Sequence, residues 1–171
     1  MQVFSLFHRI VDTSHRLILG YPTVKRSQIT ENIFLGGQYN RRGLRKLKEM
    51  GISAIVNMQI KPALDCQTNH TTIHYLHLPT IDNTPSRLKD LVTGTEFIEQ
   101  ELAQGGKVYI HCRQGIGRAP SMLIAYLLKN GSTYEEAYWF VKKVRVFISL
   151  KTNQVARLKE LEIYYKMDRK D

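Results

Sequence analysis

The stretch KVYIHCRQGIGRAPSMLIAYLL, residues 107–128, joins two apolar runs through a loop that holds two glycines and two arginines. The first run predicts a strand over 107–111, and the second predicts a helix over 119–131. Cys112 lies where the predicted strand ends. A strand that turns directly into a helix is typical of α/β domains, which bind ligands beyond the carboxyl ends of their strands. The stretch therefore predicts both a fold class and the place of a site.

The rest of the chain continues this alternation. We expect one α/β domain over 27–171, with a mostly parallel central sheet flanked by helices and an amphipathic segment over 1–26 before it. The remaining strands are predicted at 29–38, 52–58 and 73–78, and the remaining helices at 41–51, 86–104, 132–144 and 152–167.

Composition narrows the class of protein. The 171 residues are 43% hydrophobic and 23% charged, which is ordinary for a globular domain, and two cysteines exclude a disulfide framework. The net charge of +10 suits anionic partners. Phosphorylated proteins, acidic lipid headgroups and nucleic acid all fit this charge, and a merely soluble basic surface is an equal interpretation, so charge does not choose the function.

Residues 1–20 form an amphipathic pattern. An apolar stripe at helical spacing runs through Phe7, Ile10 and Leu17, while Arg9 and Arg16 lie off it. Packing of the stripe on the domain is the first interpretation. A peripheral membrane helix and an organelle transit peptide are the two alternatives.

The loop after the predicted strand has the residues of an anion site. A tight strand-to-helix loop turns successive backbone N–H groups around a hollow, and the glycines at 115 and 117 permit the turn. Arg118 can hold two oxygens of a tetrahedral dianion with its planar fork. Such positive surroundings favour the thiolate form of Cys112, which is then a nucleophile facing a bound phosphoryl group. The alternative is a structural cysteine beside a chance arginine.

Phosphoryl transfer to a thiolate also requires an acid for the leaving oxygen. Asp82 is the candidate, in a loop that follows the predicted strand over 73–78. We expect neighbouring strands to bring this loop and Cys112 to the same edge of the sheet. The alternative for Asp82 is a purely local role in bracing its own turn.

The run HCRQGIGR, residues 111–118, resembles the His-Cys-x5-Arg signature of the cysteine-dependent protein tyrosine phosphatases. The layout over about 27–165 is similar to the small atypical dual-specificity phosphatases of that superfamily. The segments IFLGGQ, IVNM and LPTIDNTP follow in the family's order.

The resemblance implies roles for individual residues. Cys112 would carry a cysteinyl-phosphate, Arg118 would hold the phosphoryl group, and Asp82 would protonate the leaving group and later activate water. Gln154 would position that water, although a plain helix-start glutamine is an equal interpretation. His111 would support the cysteine, and no metal or other cofactor is implied. The implied phosphate-binding residues are Arg113, Gln114, Gly115, Ile116, Gly117 and Arg118.

Two positions depart from the family pattern. Ala119 stands where most members have a Ser or Thr that stabilises the departing thiolate. The phosphatases of regenerating liver also carry Ala at this position. We therefore expect slow hydrolysis of the phospho-enzyme. The second cysteine of some relatives matches about Gln59 here, so a redox role for Cys66 is doubtful.

The substrate stays open between two classes. For a domain of this size, the family resemblance implies a shallow site that accepts phosphotyrosine and phosphorylated serine or threonine. We expect a cytoplasmic monomer whose partner is a phosphorylated protein or an anionic phospholipid, and not a nucleic acid. Arg113 is similar to the basic residue of phosphoinositide and phospholipid-headgroup phosphatases, but Ile116 replaces a second basic residue common there. A phosphate-binding pseudophosphatase and an arsenate reductase are further alternatives.

Overall fold

Six α-helices and four strands make up the described part of the chain, residues 2–62 and 73–169 of a computed structural model. The predicted order of strands and helices is confirmed. The helices are α1 (Gln2–Leu19), α2 (Arg41–Glu49), α3 (Leu88–Ala103), α4 (Arg118–Lys129), α5 (Tyr134–Val144) and α6 (Thr152–Asp168). The strands are β1 (Ile33–Gly36), β2 (Ala54–Asn57), β3 (His74–His77) and β4 (Val108–His111).

All four described strands are parallel, in the order β1-β4-β2-β3. The register pairs Gly36 and Asn57 with His111, and Asn57 in turn with His77. The carboxyl ends of the strands therefore meet along one edge of the sheet. Strand β4 is central, so the residue that follows it, Cys112, starts its loop from the middle of that edge.

The two faces of the sheet bury different side chains because successive residues of a strand point in opposite directions. Val108 and Ile110 of β4 belong to the larger core, which also holds residues of α3, α4, α5 and α6. Tyr109 belongs to the smaller core, with Leu44 and Leu47 of α2. Helix α4 packs against α3, α5 and α6 and so lies at the centre of the larger layer. This packing holds the amino end of α4 firmly beneath the loop.

Helix α1 packs on the domain with the opposite face to the one predicted. Asp12 is buried and accepts hydrogen bonds from the amide and hydroxyl of Thr23, at 3.0 and 2.9 Å. Ser5 Oγ donates to the carbonyl of Val146 at 3.4 Å. The apolar side chains of α1 are instead 41% to 72% exposed: Phe4, Leu6, Phe7, Ile10, Val11, Leu17 and Ile18.

The expectation that the apolar stripe packs on the domain was therefore wrong. Polar contacts decide the orientation of α1 because a buried carboxylate such as that of Asp12 needs its partners, whereas each apolar side chain can stay in water at a smaller cost. None of the described helices has the length and apolar character needed to cross a membrane.

Candidate active site

Cys112 lies directly after β4 and is only 3% exposed. The backbone N–H of Gly115 donates to its Sγ at 3.2 Å, so the loop already turns an amide toward the sulfur. Gly115 has a φ of +67°, and a Cβ there would lie 2.4 Å from the carbonyl oxygen of Gly36. Only glycine fits this position, because the turn of the loop and its close approach to β1 both exclude a side chain.

Arg118, the first residue of α4, lies beneath the same loop with 5% of its surface exposed. Its Nη1 donates to the carbonyls of Thr80 and Met58, at 2.9 and 3.3 Å. Its Nη2 lies 3.1 Å from Oδ1 of Asp82. Within the described residues the buried Nε has no hydrogen-bond partner, so one donor of the guanidinium remains for a ligand.

Asp82 reaches the site from the loop after β3. The sequence-based expectation that neighbouring strands bring Asp82 and Cys112 together was wrong in one respect, because β2 lies between β3 and β4. The shared edge of the parallel strands is enough to place both loops over the site. The Asp82 carboxylate is 61% exposed, and it also accepts a hydrogen bond from the amide of Asn83 at 3.2 Å.

Gln154 holds the Asp82 loop from the start of α6. Its Nε2 donates to the carbonyl of Thr84 at 3.1 Å, and its Oε1 accepts from the amide of Lys151 at 3.0 Å. The neighbouring Asn153 donates to the carbonyl of Asn83 at 3.3 Å. Gln154 therefore lies at a helix start and also lines the cavity, and its positioning of a water stays a prediction.

Arg145 fastens the signature loop from behind. It is fully buried, and it donates to the carbonyl of Gly115 from Nε at 2.6 Å and to that of Gln114 from Nη2 at 2.9 Å. The same Nη2 lies 3.0 Å from Oδ2 of Asp12. A third donor, Nη1, reaches the carbonyl of Arg26 at 3.1 Å. One guanidinium thus joins the loop to α1 and to the segment that follows it.

These residues surround a cavity of about 280 Å³. Cys112, Arg118, Asp82 and Gln154 all line it. Among the described residues, Asp82 is the only acidic one that lines it, whereas the basic lining residues are Arg9, Arg113, Arg118 and Lys151. The cavity therefore combines a thiol, a carboxylate and an excess of positive charge, which suits an anionic ester.

The family model for the catalytic domain of dual specificity phosphatases matches residues 33–164 of this chain. The chain belongs to the dual specificity phosphatase family. The match includes the whole sheet and the loop of Cys112, and it leaves α1 outside.

Curated relatives are similar over most of this dual specificity phosphatase domain. Mouse dual specificity protein phosphatase 1 is 30% identical over 139 residues, which cover 79% of this chain and 36% of the relative. Human dual specificity protein phosphatase 8 is 30% identical over 149 residues, covering 84% of this chain and 23% of the relative. The chain thus spans about a third or less of the length of these relatives.

Solved structures share the architecture. PTPMT1 superposes with a TM-score of 0.75 at 25% identity, covering 84% of this chain and 98% of that protein. A human tyrosine phosphatase-like serine/threonine/tyrosine-interacting protein has a TM-score of 0.72 at 28% identity, covering 82% and 97%. A further PTPMT1 structure, at 24% identity, is a complex with PI(5)P.

The domain brings eight of the ten predicted site residues into one cavity: Asp82, Cys112, Arg113, Gln114, Ile116, Gly117, Arg118 and Gln154. Gly115 and His111 lie behind it. Cys66 falls outside the described residues, and the described ranges contain no His, Cys, Asp and Glu cluster suited to a metal.

Sequence reasoning missed Arg9, Asp12 and Arg145. The signal for Arg9 and Asp12 was present, because both lie on the polar face of α1, which we did not expect to reach the site. Arg145 follows a helix in a basic run and had no distinguishing pattern.

His111, the last residue of β4, has a buried and uncharged ring. It is 1% exposed, and its ring lies 5.1 Å from that of Tyr39 and 5.7 Å from that of Tyr109. Burial lowers the pKa of His111 from 6.5 to about 3, and the nearby charges of His77 and Arg118 contribute in the same direction. The imidazole is therefore neutral throughout the physiological range.

This burial predicts a pH dependence of stability. Below pH 6.5 the unfolded chain takes up a proton at His111 that the folded chain does not, so folding stability falls as the pH drops toward 3. The free energy of unfolding of the native protein should fall relative to that of His111→Gln by about 1.4 kcal/mol per pH unit over this range. Urea denaturation of both proteins at pH values above and below 6.5 measures the difference. Parallel curves would show that His111 is not buried as a neutral ring.

Proposed function

We propose that the chain is a phosphomonoester hydrolase that acts through a cysteinyl-phosphate on Cys112. The observation that supports this proposal is the shared cavity of about 280 Å³, which Asp82, Cys112 and Arg118 all line, with Asp82 3.1 Å from Nη2 of Arg118. The membership in the dual specificity phosphatase family supports the same reaction. We assign the catalytic unit to residues 27–171, with 1–26 as an added segment.

The first step transfers the phosphoryl group to sulfur. The thiolate of Cys112 attacks phosphorus, an S–P bond forms, and the bond from phosphorus to the leaving oxygen breaks. Asp82, in its protonated form, gives its proton to that oxygen, so the product leaves as an alcohol or a phenol. The exposed carboxylate of Asp82 stands at the cavity mouth, where the leaving group would lie.

The second step returns the enzyme to its starting state. Water attacks phosphorus, Asp82 accepts a proton from it, and the S–P bond breaks to give inorganic phosphate and the thiolate. Gln154 lines the cavity beside the Asp82 loop, and we assign it the positioning of this water.

The charge of the transferring group would be held by the loop. Residues of the loop and the amino end of α4 line the cavity, and the amide of Gly115 donates to Sγ of Cys112. Loop amides and a helix start in this arrangement bind tetrahedral anions. Arg118 adds the free Nε donor, and its contacts with Thr80 and Met58 hold the fork in place. Such fixed donors stabilise charge that develops in the transition state.

Substitution of the two reacting side chains tests this mechanism. Cys112→Ser should abolish turnover of p-nitrophenyl phosphate. Asp82→Asn should lower kcat/KM, which reports the first step, by about a hundredfold on phenyl phosphate and by less on p-nitrophenyl phosphate, because nitrophenolate leaves without a proton. Steady-state kinetics on the two esters measure the ratio of the two losses.

Asp168→Asn is the matched control, since it removes an exposed carboxylate at the far end of α6. Activity that persists in Cys112→Ser would contradict the thiolate mechanism. Phosphate binding without turnover in the native protein would instead identify a binding module.

The substrate that we favour is a phosphorylated protein, hydrolysed at tyrosine and at serine or threonine. The curated relatives described above are dual specificity protein phosphatases. The cavity is small, and the Asp82 side chain in its lining is exposed to solvent. The second candidate is a phosphoinositide or phospholipid headgroup. The observation that favours it is the positive cavity mouth formed by Arg9, Arg113 and Lys151, and PTPMT1 holds PI(5)P in a complex.

The exposed face of α1 supports a peripheral contact with an anionic membrane surface. Seven large apolar side chains of this helix are 41% to 72% exposed, and the chain carries a net charge of +10. Apolar insertion and attraction to acidic headgroups add together in interfacial helices. We therefore place the protein in the cytoplasm, as a monomer that can bind a lipid surface.

Vesicle binding tests this contact. The full chain should sediment with vesicles of phosphatidylcholine and phosphatidylserine more than with phosphatidylcholine alone. The double variant Phe4→Ser/Phe7→Ser should bind at least about tenfold more weakly, because each ring contributes on the order of 2 kcal/mol when buried.

The matched control is Ile163→Ser/Met167→Ser, which removes two comparably exposed apolar side chains from α6. An equal loss of binding in both double variants would exclude α1 as the contact. Equal binding to vesicles with and without phosphatidylserine would exclude the electrostatic contribution to membrane binding.

A further inference from the structure

Helix α1 contributes a cation to the active-site cavity from outside the region that the family model matches. Arg9 lines the cavity together with Cys112, and its Nη2 donates to Oε1 of Gln114 at 2.8 Å. The guanidinium therefore lies against the signature loop, on the side where that loop opens to solvent.

The charges around the cavity mouth are unbalanced. Asp82, the only acidic residue of the described part of the chain that lines it, already pairs with Arg118 at 3.1 Å. Arg9, Arg113 and Lys151 take part in none of the ion pairs found among the described residues. Three like charges around one small cavity repel one another, and a bound anion would relieve that repulsion.

Arg9 is held in this position before any ligand binds. Three residues further along α1, the buried Asp12 pairs with Arg145, which in turn holds the carbonyls of Gln114 and Gly115. The helix and the loop are thus fastened to the same buried guanidinium. A cation placed in advance binds an anion with less loss of conformational entropy than a free surface side chain.

One phosphoryl group would not use all of these donors. The loop amides and Arg118 surround the base of the cavity, where Cys112 lies, whereas Arg9, Arg113 and Lys151 are exposed side chains at its mouth. A substrate that carries a second anionic group near the reacting phosphate would contact the donors at the base of the cavity and also those at its mouth.

We propose that Arg9, with Arg113 and Lys151, forms a subsite for a second phosphate on the substrate, next to the phosphate that is hydrolysed. The substrate class is a polyol with two neighbouring phosphates, either as a soluble molecule or as a lipid headgroup. This inference rests on the proposed hydrolase function, and it assigns to α1 a part in substrate selection.

Kinetics on inositol phosphates test the subsite. The native protein should hydrolyse inositol with two adjacent phosphates with a kcat/KM at least about tenfold above that for inositol monophosphate, because a charge-assisted hydrogen bond contributes on the order of 2 kcal/mol. Arg9→Gln should reduce this preference by about tenfold, and Arg9→Lys should retain part of it. Activity of every variant on p-nitrophenyl phosphate is measured in parallel.

The matched control is Arg42→Gln, which removes the same charge from an exposed position on α2 and should keep the preference of the native protein. Suppose that Arg9→Gln lowers kcat/KM equally on the inositol bisphosphate, on the inositol monophosphate and on p-nitrophenyl phosphate. That result would overturn the subsite, since Arg9 would then act on the loop through Gln114. An unchanged preference in Arg9→Gln would overturn it as well.

Failure of the proposed function looks different, because the native protein would then leave p-nitrophenyl phosphate intact. Repeating the comparison with a short-chain lipid that carries the same two phosphates distinguishes the sources. A higher kcat/KM for the lipid assigns the subsite to a membrane headgroup, and an equal one assigns it to the soluble phosphate.

Discussion

The buried guanidinium of Arg145 is the interaction on which the site depends. It donates to two carbonyls of the signature loop and pairs with the buried carboxylate of Asp12. The loop must turn its amides toward the cavity, so its carbonyls point backward and need donors inside the protein. Arg145 supplies them, and Asp12 supplies the charge that makes burial of Arg145 tolerable. Removing one partner of such a pair costs about 3–5 kcal/mol.

This constraint explains why α1 lies as it does. The carboxylate of Asp12 has to reach Arg145, so the polar face of the helix turns inward and the apolar face turns to water. The same orientation brings Arg9 to the cavity mouth. One buried ion pair thus relates loop geometry, the positive charge at the mouth and an exposed apolar surface. The phosphate subsite and the membrane contact that we propose are two consequences of this orientation.

The sequence alone was sufficient for the order of strands and helices and for most of the site. The cysteine and arginine of one short loop stay together in any strand-to-helix turn, and parallel strands bring the Asp82 loop to the same edge. Periodicity could locate α1 but could not orient it, because a hydrophobic stripe says nothing about a buried carboxylate. The role of Arg145 depends on contacts with residues more than a hundred positions away, which no local pattern records.

The most direct test of the covalent mechanism is the phospho-enzyme itself. Ala119 is fully buried at the start of α4 and offers no hydroxyl to the departing sulfur, so the intermediate should accumulate. Acid quenching of the protein during turnover of p-nitrophenyl phosphate, followed by mass spectrometry, should find one phosphoryl group on the peptide of Cys112. Ala119→Ser should lower that amount and raise turnover. Turnover of p-nitrophenyl phosphate by the native protein with no phosphoryl group on Cys112 would contradict the account.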